Sequence, residues 1–158
     1  MAQNKPAPAS NGSEDACEPA LDQRLLLSLV GYNCKRAYLC IKPLFEKRMA
    51  KYALRPVEFT VLSLLKANPN ISQKRLSAAI SVSPPNLATL LDRLEQRGLL
   101  QRQRNPNDKR SQSLLLTETG ARLCGKAEKT AVELEMAASG ALSDAERAQL
   151  IHLLQKIS

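Results

Sequence analysis

Read from the amino end, the chain shows no periodic alternation of apolar and polar positions before Leu21. From Leu21 to about Tyr52 apolar residues recur with helical spacing, and a continuous helix of that length extends about 45 to 50 Å. One stripe holds Leu26, Val30, Ala37, Ile41 and Leu44. A second, about 120° around the helix, holds Leu25, Leu29, Leu39 and Pro43. A helix apolar over so wide an arc needs cover on both sides, and a chain of 158 residues has little material for that. A partner subunit is the expected cover. Pro43 removes a hydrogen bond and clashes with the preceding turn, so the helix is expected to kink or break there.

The pattern then shortens. Pro56 suits the first turn of a helix running through Phe59, Leu62, Leu64 and Leu65 to Ala67, and Asn68-Pro69-Asn70 stops it. Ser72 is a suitable N-cap for the next, which should turn Leu76, Ala79 and Ile80 inward. After a turn at Ser81 and Val82, Ser83 and Pro84 open another helix, and Gly98 ends it. Leu87, Leu90, Leu91 and Leu94 fall at i, i+3, i+4 and i+7 and form one buried stripe. Residues 99–104 and 112–117 read as two strands of a hairpin whose connection, 105–111, is longer than a two-residue turn and basic near its tip. Thr117 can cap a long helix through Leu123, Ala127, Ala131 and Leu134, interrupted at Ser139-Gly140. Ser143 and Glu146 form a capping box for a last helix with a seam of Leu150, Leu153, Leu154 and Ile157.

Two short helices joined by a tight turn, followed by a basic hairpin, make a winged helix-turn-helix. The fold class is therefore mainly α with a small β wing, beside a helical dimerisation region. With the leucines inward, Pro85, Thr89, Asp92, Arg93 and Gln96 point outward, while Ser83 and Asn86 sit at the end that enters a DNA major groove. Asn86 and Thr89 are the expected base readers, and Arg93 could reach a guanine or a phosphate. Asp92 would face phosphates, so it is expected to pair with an arginine outside its own helix, such as Arg102. In the wing, Arg110 suits the minor groove, with Asp108 holding it in place.

Charge supports this reading. The formal charge is +8, yet residues 1–20 carry −2, leaving +10 for the rest. Residues 93–110 hold six basic and two acidic side chains, the footprint of a phosphate-binding face. Five aromatics and no Trp give few stacking platforms for single strands or RNA. No Ser/His/Asp set, phosphate loop or paired carboxylates stand out, so the chain is not expected to be an enzyme. Cys17, Cys34, Cys40 and Cys124 form no C-x-x-C pair, and with His152 as the one histidine neither a metal site nor a cofactor is expected. His152 is expected at a surface or interface. No run reaches the roughly 18 apolar residues of a membrane span, and the first 20 residues lack the apolar core of a secretory signal, so a cytoplasmic location is expected.

The run from Ser83 through LLDRLEQRGLL to NPNDKRSQSLLLTETG resembles the MarR family of bacterial transcriptional regulators. That family carries a D-x-R signature in its wing, here Asp108-Lys109-Arg110, with Lys109 where Arg is frequent. The resemblance covers about residues 22 to 157; residues 1–20 have no counterpart in the family core. It implies an obligate dimer of winged helix-turn-helix lobes with a small-molecule pocket between the dimerisation helices and each lobe. The expected division is a disordered tail at 1–20, a helical dimerisation region at 21–52 and 118–158, and a DNA-binding lobe at 53–117.

The expected function is a homodimeric repressor that binds double-stranded DNA at a pseudo-palindromic operator and is released by a small-molecule effector. Ser28, Tyr32 and Arg36 recur every four residues beside the second apolar stripe. A hydroxyl, a phenol and a guanidinium in line could bind a small aromatic carboxylate, or form a polar strip at a subunit rim. A thiol-based redox sensor of the same fold is the alternative.

Overall fold

The computed structural model describes residues 21–105 and 108–157, without the side chains of residues 104–111. Its first helical region is two helices. Helix α1 (Arg24–Leu27) ends at Ser28, Leu29 is extended at φ −93° and ψ 125°, and α2 runs Val30–Met49. The single continuous helix read from the sequence is therefore corrected. Ser28 Oγ donates to the Leu25 carbonyl at 2.7 Å, and Asn33 Nδ2 donates to the carbonyls of Leu27 and Leu29, both at 2.8 Å. The bond to Leu27 satisfies a carbonyl that the broken ladder leaves open, while Leu25 and Leu29 also accept the Ser28 and Asn33 N–H groups. Pro43 lies within α2 on its exposed side, and the helix runs on through it.

A 3-10 turn, Ala50–Tyr52, closes on Ala53 in the left-handed region at φ 50° and turns the chain into α3 (Pro56–Ala67). The two-residue strand β1 (Ile71–Ser72) precedes α4 (Gln73–Ile80), capped by Ser72 Oγ, which accepts from the Arg75 N–H. Helix α5 spans Pro84–Gln96 and ends on Gly98 at φ 67°. Strands β2 (Leu100–Asn105) and β3 (Asp108–Leu116) pair antiparallel, and β1 adds to the far edge of β3 in the order β1-β3-β2. Helix α6 (Glu118–Ala138) starts at Thr117, whose side chain accepts from the Gly120 N–H, and α7 (Asp144–Leu154) starts with the Ser143–Glu146 capping box.

Three details depart from expectation. β1 went unforeseen, because two residues are too few to show a period. Ala79 is exposed, not inward; only Leu76 of α4 is fully buried, and Ile80 packs partly against the core. The hairpin strands also run nearer the tip: Arg104 pairs with Gln112, and Asn105 with Asp108. Lys109, Arg110 and Ser111 therefore fall in a bulge between two paired positions, a place where bulges re-aim a strand.

The core collects Leu62 and Leu65 of α3, Leu76, the four α5 leucines, Leu100 and Leu114 of the sheet, and Leu134 of α6. Met49 joins it from α2, with Ile41, Leu44 and Phe45 packed partly against it. No residue of α1 or α7 is buried. Among the described residues no helix is long and apolar enough to cross a membrane.

Candidate nucleic-acid interface

The outward face of α5 exists because its other face is taken. Leu87, Leu90, Leu91 and Leu94 are all buried, which leaves Ser83, Pro85, Asn86, Thr89 and Arg93 exposed. Ser83 is the N-cap, extended at φ −60° and ψ 144°, and its hydroxyl makes no capping bond. Pro84 and Pro85 carry no N–H, so the Asn86 N–H and that hydroxyl are the donors this end offers an outside anion, which a helix N-terminus favours. Asn86 offers the donor and acceptor pair that matches an adenine edge. Thr89 Oγ1 donates to the Pro85 carbonyl at 3.2 Å and keeps its capacity to accept. Arg93 stands further along, lining a cleft of about 430 Å³ with Glu46, Ala53, Arg55 and Glu58.

The wing is clamped to this helix through Arg102. Arg102 of β2 donates through Nη2 to Asp92 at 2.6 Å and through Nη1 to Glu95, while its own N–H donates to Glu95 at 3.2 Å. The Asp92–Arg102 pair is the one expected from the sequence. Glu95 was missed, although it lies three residues after Asp92 and so shares its face. At the other end, Thr117 Oγ1 donates to the Gly98 carbonyl at 2.7 Å and its N–H to the Leu99 carbonyl at 3.1 Å, tying the start of α6 to the exit of α5. Asp108, Lys109 and Arg110 open β3, and their side chains lie outside the described residues.

The three residues expected to hold a ligand are only partly brought together. Tyr32 Oη donates to Gln23 Oε1 at 3.1 Å, Arg36 Nη1 to the same oxygen at 3.3 Å, and the Arg36 guanidinium sits 5.8 Å from the centre of the Tyr32 ring. Ser28 lies at the break before α2, its hydroxyl spent on Leu25. Gln23 had no signal in the sequence, since it precedes the periodic pattern. On the opposite side of α2, an apolar cavity of about 320 Å³ is lined by Cys34, Ala37, Tyr38, Ile41, Phe45 and Leu154, with Lys42 and Glu135 also lining it.

The described thiols are Cys34 and Cys40, both exposed, and Cys124, which is buried. Burial pushes the Cys124 thiol up from its ordinary value, and the hydrogen bond with Ser63 only partly offsets this. His152 is exposed on α7.

The MarR family model matches residues 54–112, from the start of α3 into the wing. The regulator PecS of Dickeya dadantii is 32% identical over 142 residues, covering 88% of this chain and 84% of that protein. Among solved structures, the transcriptional repressor CouR bound to a 23-mer DNA duplex superposes with a TM-score of 0.81 at 36% identity, covering 88% of this chain and 99% of that one. BpsR of Bordetella bronchiseptica, whose DNA binding is regulated by 6-hydroxynicotinic acid, gives 0.76 at 25% identity, over 88% of this chain and 96% of that one. The chain belongs to the MarR family and is a transcriptional regulator of the winged helix-turn-helix type.

Proposed function

We propose that the chain is a repressor that binds a pseudo-palindromic operator as a homodimer in the cytoplasm and is released by a small aromatic carboxylate. The observation that carries this reading is α5: a row of exposed polar residues at its N-terminal half, backed by four buried leucines and clamped to the wing through Arg102. Ser83, Pro85, Asn86 and Thr89 face base edges, Arg93 a phosphate, and Asp108, Lys109 and Arg110 carry the wing into the minor groove. Two such helices about 34 Å apart enter successive major grooves on one side of the duplex. The exposed apolar side chains of α1, α2 and α7, among them Leu25, Val30, Leu39 and Ile151, support pairing through those helices. A mobility-shift titration of Arg110→Ala against DNA selected by the native chain tests the wing. Binding should weaken at least tenfold with the dimer intact; unchanged affinity removes Arg110 from the interface.

For the effector, the cavity beside Tyr38 and Phe45 suits an aromatic ring and Lys42 its carboxylate. The regulation of BpsR by 6-hydroxynicotinic acid supports that ligand class. A second place has its own support: Tyr32 and Arg36 converge on Gln23, and Arg36 can take a carboxylate bidentately, with Ser28 one turn away. Calorimetric titration of benzoate, cinnamate and pyridine-carboxylate acids decides between them. Loss of binding in Lys42→Ala with Arg36→Ala unaffected places the ligand in the cavity; the reverse places it at Arg36.

The redox alternative rests on Cys34 and Cys40. They are six residues apart on α2, about 9 Å along the axis and about 120° apart around it, so an intrachain disulfide between them is barred. A redox switch would need a partner subunit's thiol or Cys17. Peroxide-induced release of DNA that disappears in a variant lacking cysteine would establish that reading instead.

A further inference from the structure

Arg97 is the C-cap of the recognition helix, and its side chain leaves that helix altogether. Nη2 donates to the Tyr52 carbonyl at 3.0 Å and Nη1 to the Ala53 carbonyl at 2.9 Å. Both carbonyls belong to the corner where α2 and its 3-10 turn end, and Ala53 holds the left-handed conformation that ends the turn. A cation at a helix C-terminus is favoured by the helix dipole and by open carbonyls. Arg97 Nη1 also lies 3.9 Å from Oε2 of Glu58, a buried carboxylate in the first turn of α3 whose same oxygen accepts the Arg55 N–H at 2.9 Å.

Tyr52 extends the connection. Its hydroxyl is 3.0 Å from Thr130 Oγ1 and donates to the Lys126 carbonyl at 3.2 Å, both on α6. One guanidinium thus joins the end of α5 to the end of α2 and the start of α3, and through Tyr52 to α6. The planar fork of arginine can serve two successive carbonyls at once, which an ammonium cannot do in the same geometry. Nothing in this cluster points toward the exposed row at Asn86 and Thr89, so the joint does not itself read DNA.

We propose that Arg97 is a positioning residue: its fork on Tyr52 and Ala53 sets where the recognition helix sits relative to α2, and so the separation at which two paired copies read their half-sites. The inference rests on the reading of the chain as a dimeric operator-binding regulator. α2 carries the exposed apolar stripe of the pairing face, while α5 carries the base readers, and Arg97 is the direct polar link between the end of one and the end of the other. Without it the leucine stripe still holds α5 to the core, and Met49 and Leu54 still anchor the flanks of the corner, but the polar fork that fixes the angle between them is gone. The loss should therefore fall on spacing discrimination rather than on contact with DNA as such.

The test uses the full chain and a duplex selected from random DNA by the native protein. Native, Arg97→Ala and Arg97→Lys chains are titrated by fluorescence anisotropy against that duplex, against versions with one base pair added or removed at the centre, and against random DNA. Thermal melting is followed in parallel. The native chain should discriminate against altered spacing. Arg97→Ala should reduce that discrimination at least about fivefold, with Arg97→Lys between the two, while affinity for random DNA stays within about threefold, since no phosphate contact is removed. Unchanged discrimination in Arg97→Ala, even with a lowered melting temperature, overturns the proposal and leaves a purely structural clasp. If Arg97→Ala gives no folded dimer, Arg97→Lys decides, and unchanged discrimination there overturns it equally. Failure of the native chain to select any sequence would instead bring down the regulator reading, and this inference with it.

Discussion

At the scale of single residues, two positions have consequences out of proportion to their size. A Cβ placed on Gly120 would lie 1.8 Å from the Leu99 carbonyl oxygen and 2.8 Å from its carbon, both backbone atoms that cannot swing aside. Gly120→Ala should therefore destabilise the fold by about 2 kcal/mol or more, as overpacking against rigid structure does. Gly125, on the same helix, has only Lys66 Nζ at 3.8 Å, so Gly125→Ala should stabilise by up to about 1 kcal/mol through helix propensity. Urea titrations of the two variants should move their midpoints in opposite directions at equal slope; a Gly120→Ala midpoint at or above the native one would refute the close approach at Leu99. Arg102 is the second position. Removing it leaves Asp92, more than half exposed on the outward face of α5, without its cation. Arg102→Ala should cost only about 1 kcal/mol of stability, because both acids are partly solvated, yet weaken DNA binding at least tenfold through repulsion of phosphate. Asp92→Ala added to that variant should recover part of the affinity in an anisotropy titration; no recovery would mean that wing position, not charge, is what Arg102 supplies. The outward charge of Asp92 against inward leucines made this pair readable from the sequence. The Gly120 contact was not, since it depends on how α6 crosses the exit of α5.

At the scale of elements, the sequence was most informative where local chemistry and periodicity agree. The α5 stripe, the Thr117 cap and the Ser143–Glu146 box all stand as their residues predict. It was least informative where side chains override a pattern: the apolar spacing runs unbroken across Ser28 and Leu29, and only the bonds from Ser28 and Asn33 reveal the break. The cap on α7 also gives a pH dependence. Glu146 accepts from the Ser143 hydroxyl at 2.7 Å and from its N–H at 2.8 Å, which holds its carboxyl below the usual glutamate value. A depressed folded value means that the stabilisation is complete above the unfolded value and is lost as pH falls through the folded one. Hydrogen exchange at the first turn of α7 should accelerate as pH drops below the ordinary glutamate range, after correction for intrinsic rates. In Glu146→Gln, which keeps an acceptor there but does not titrate, that extra acceleration should vanish; its persistence would place the titrating group elsewhere.

At the scale of the whole molecule, the chain is a finished DNA-reading lobe attached to helices that are not finished. Leu25, Leu29, Val30 and Leu39 are each about half exposed or more, as are Ile151 and Ile157, and Val30, Ile151 and Ile157 line one groove together with Leu154. Apolar side chains gathered on adjoining helices mark an interaction surface. If that surface pairs two copies, Val30→Glu with Ile151→Glu should give a species sedimenting at 17.4 kDa, where the native chain sediments at twice that mass. The same substitutions should change how DNA binding responds to salt. Each neutralised phosphate contributes about 0.9 to the slope of log affinity against log salt, so a single lobe, making half the contacts, should show about half the native slope. Affinity for the selected duplex should fall at least about a hundredfold, because the second half-site no longer adds to the first. The two measurements constrain each other. A monomer with the native slope would mean that one lobe makes all the phosphate contacts, and an unchanged mass would mean that the copies meet through some other face.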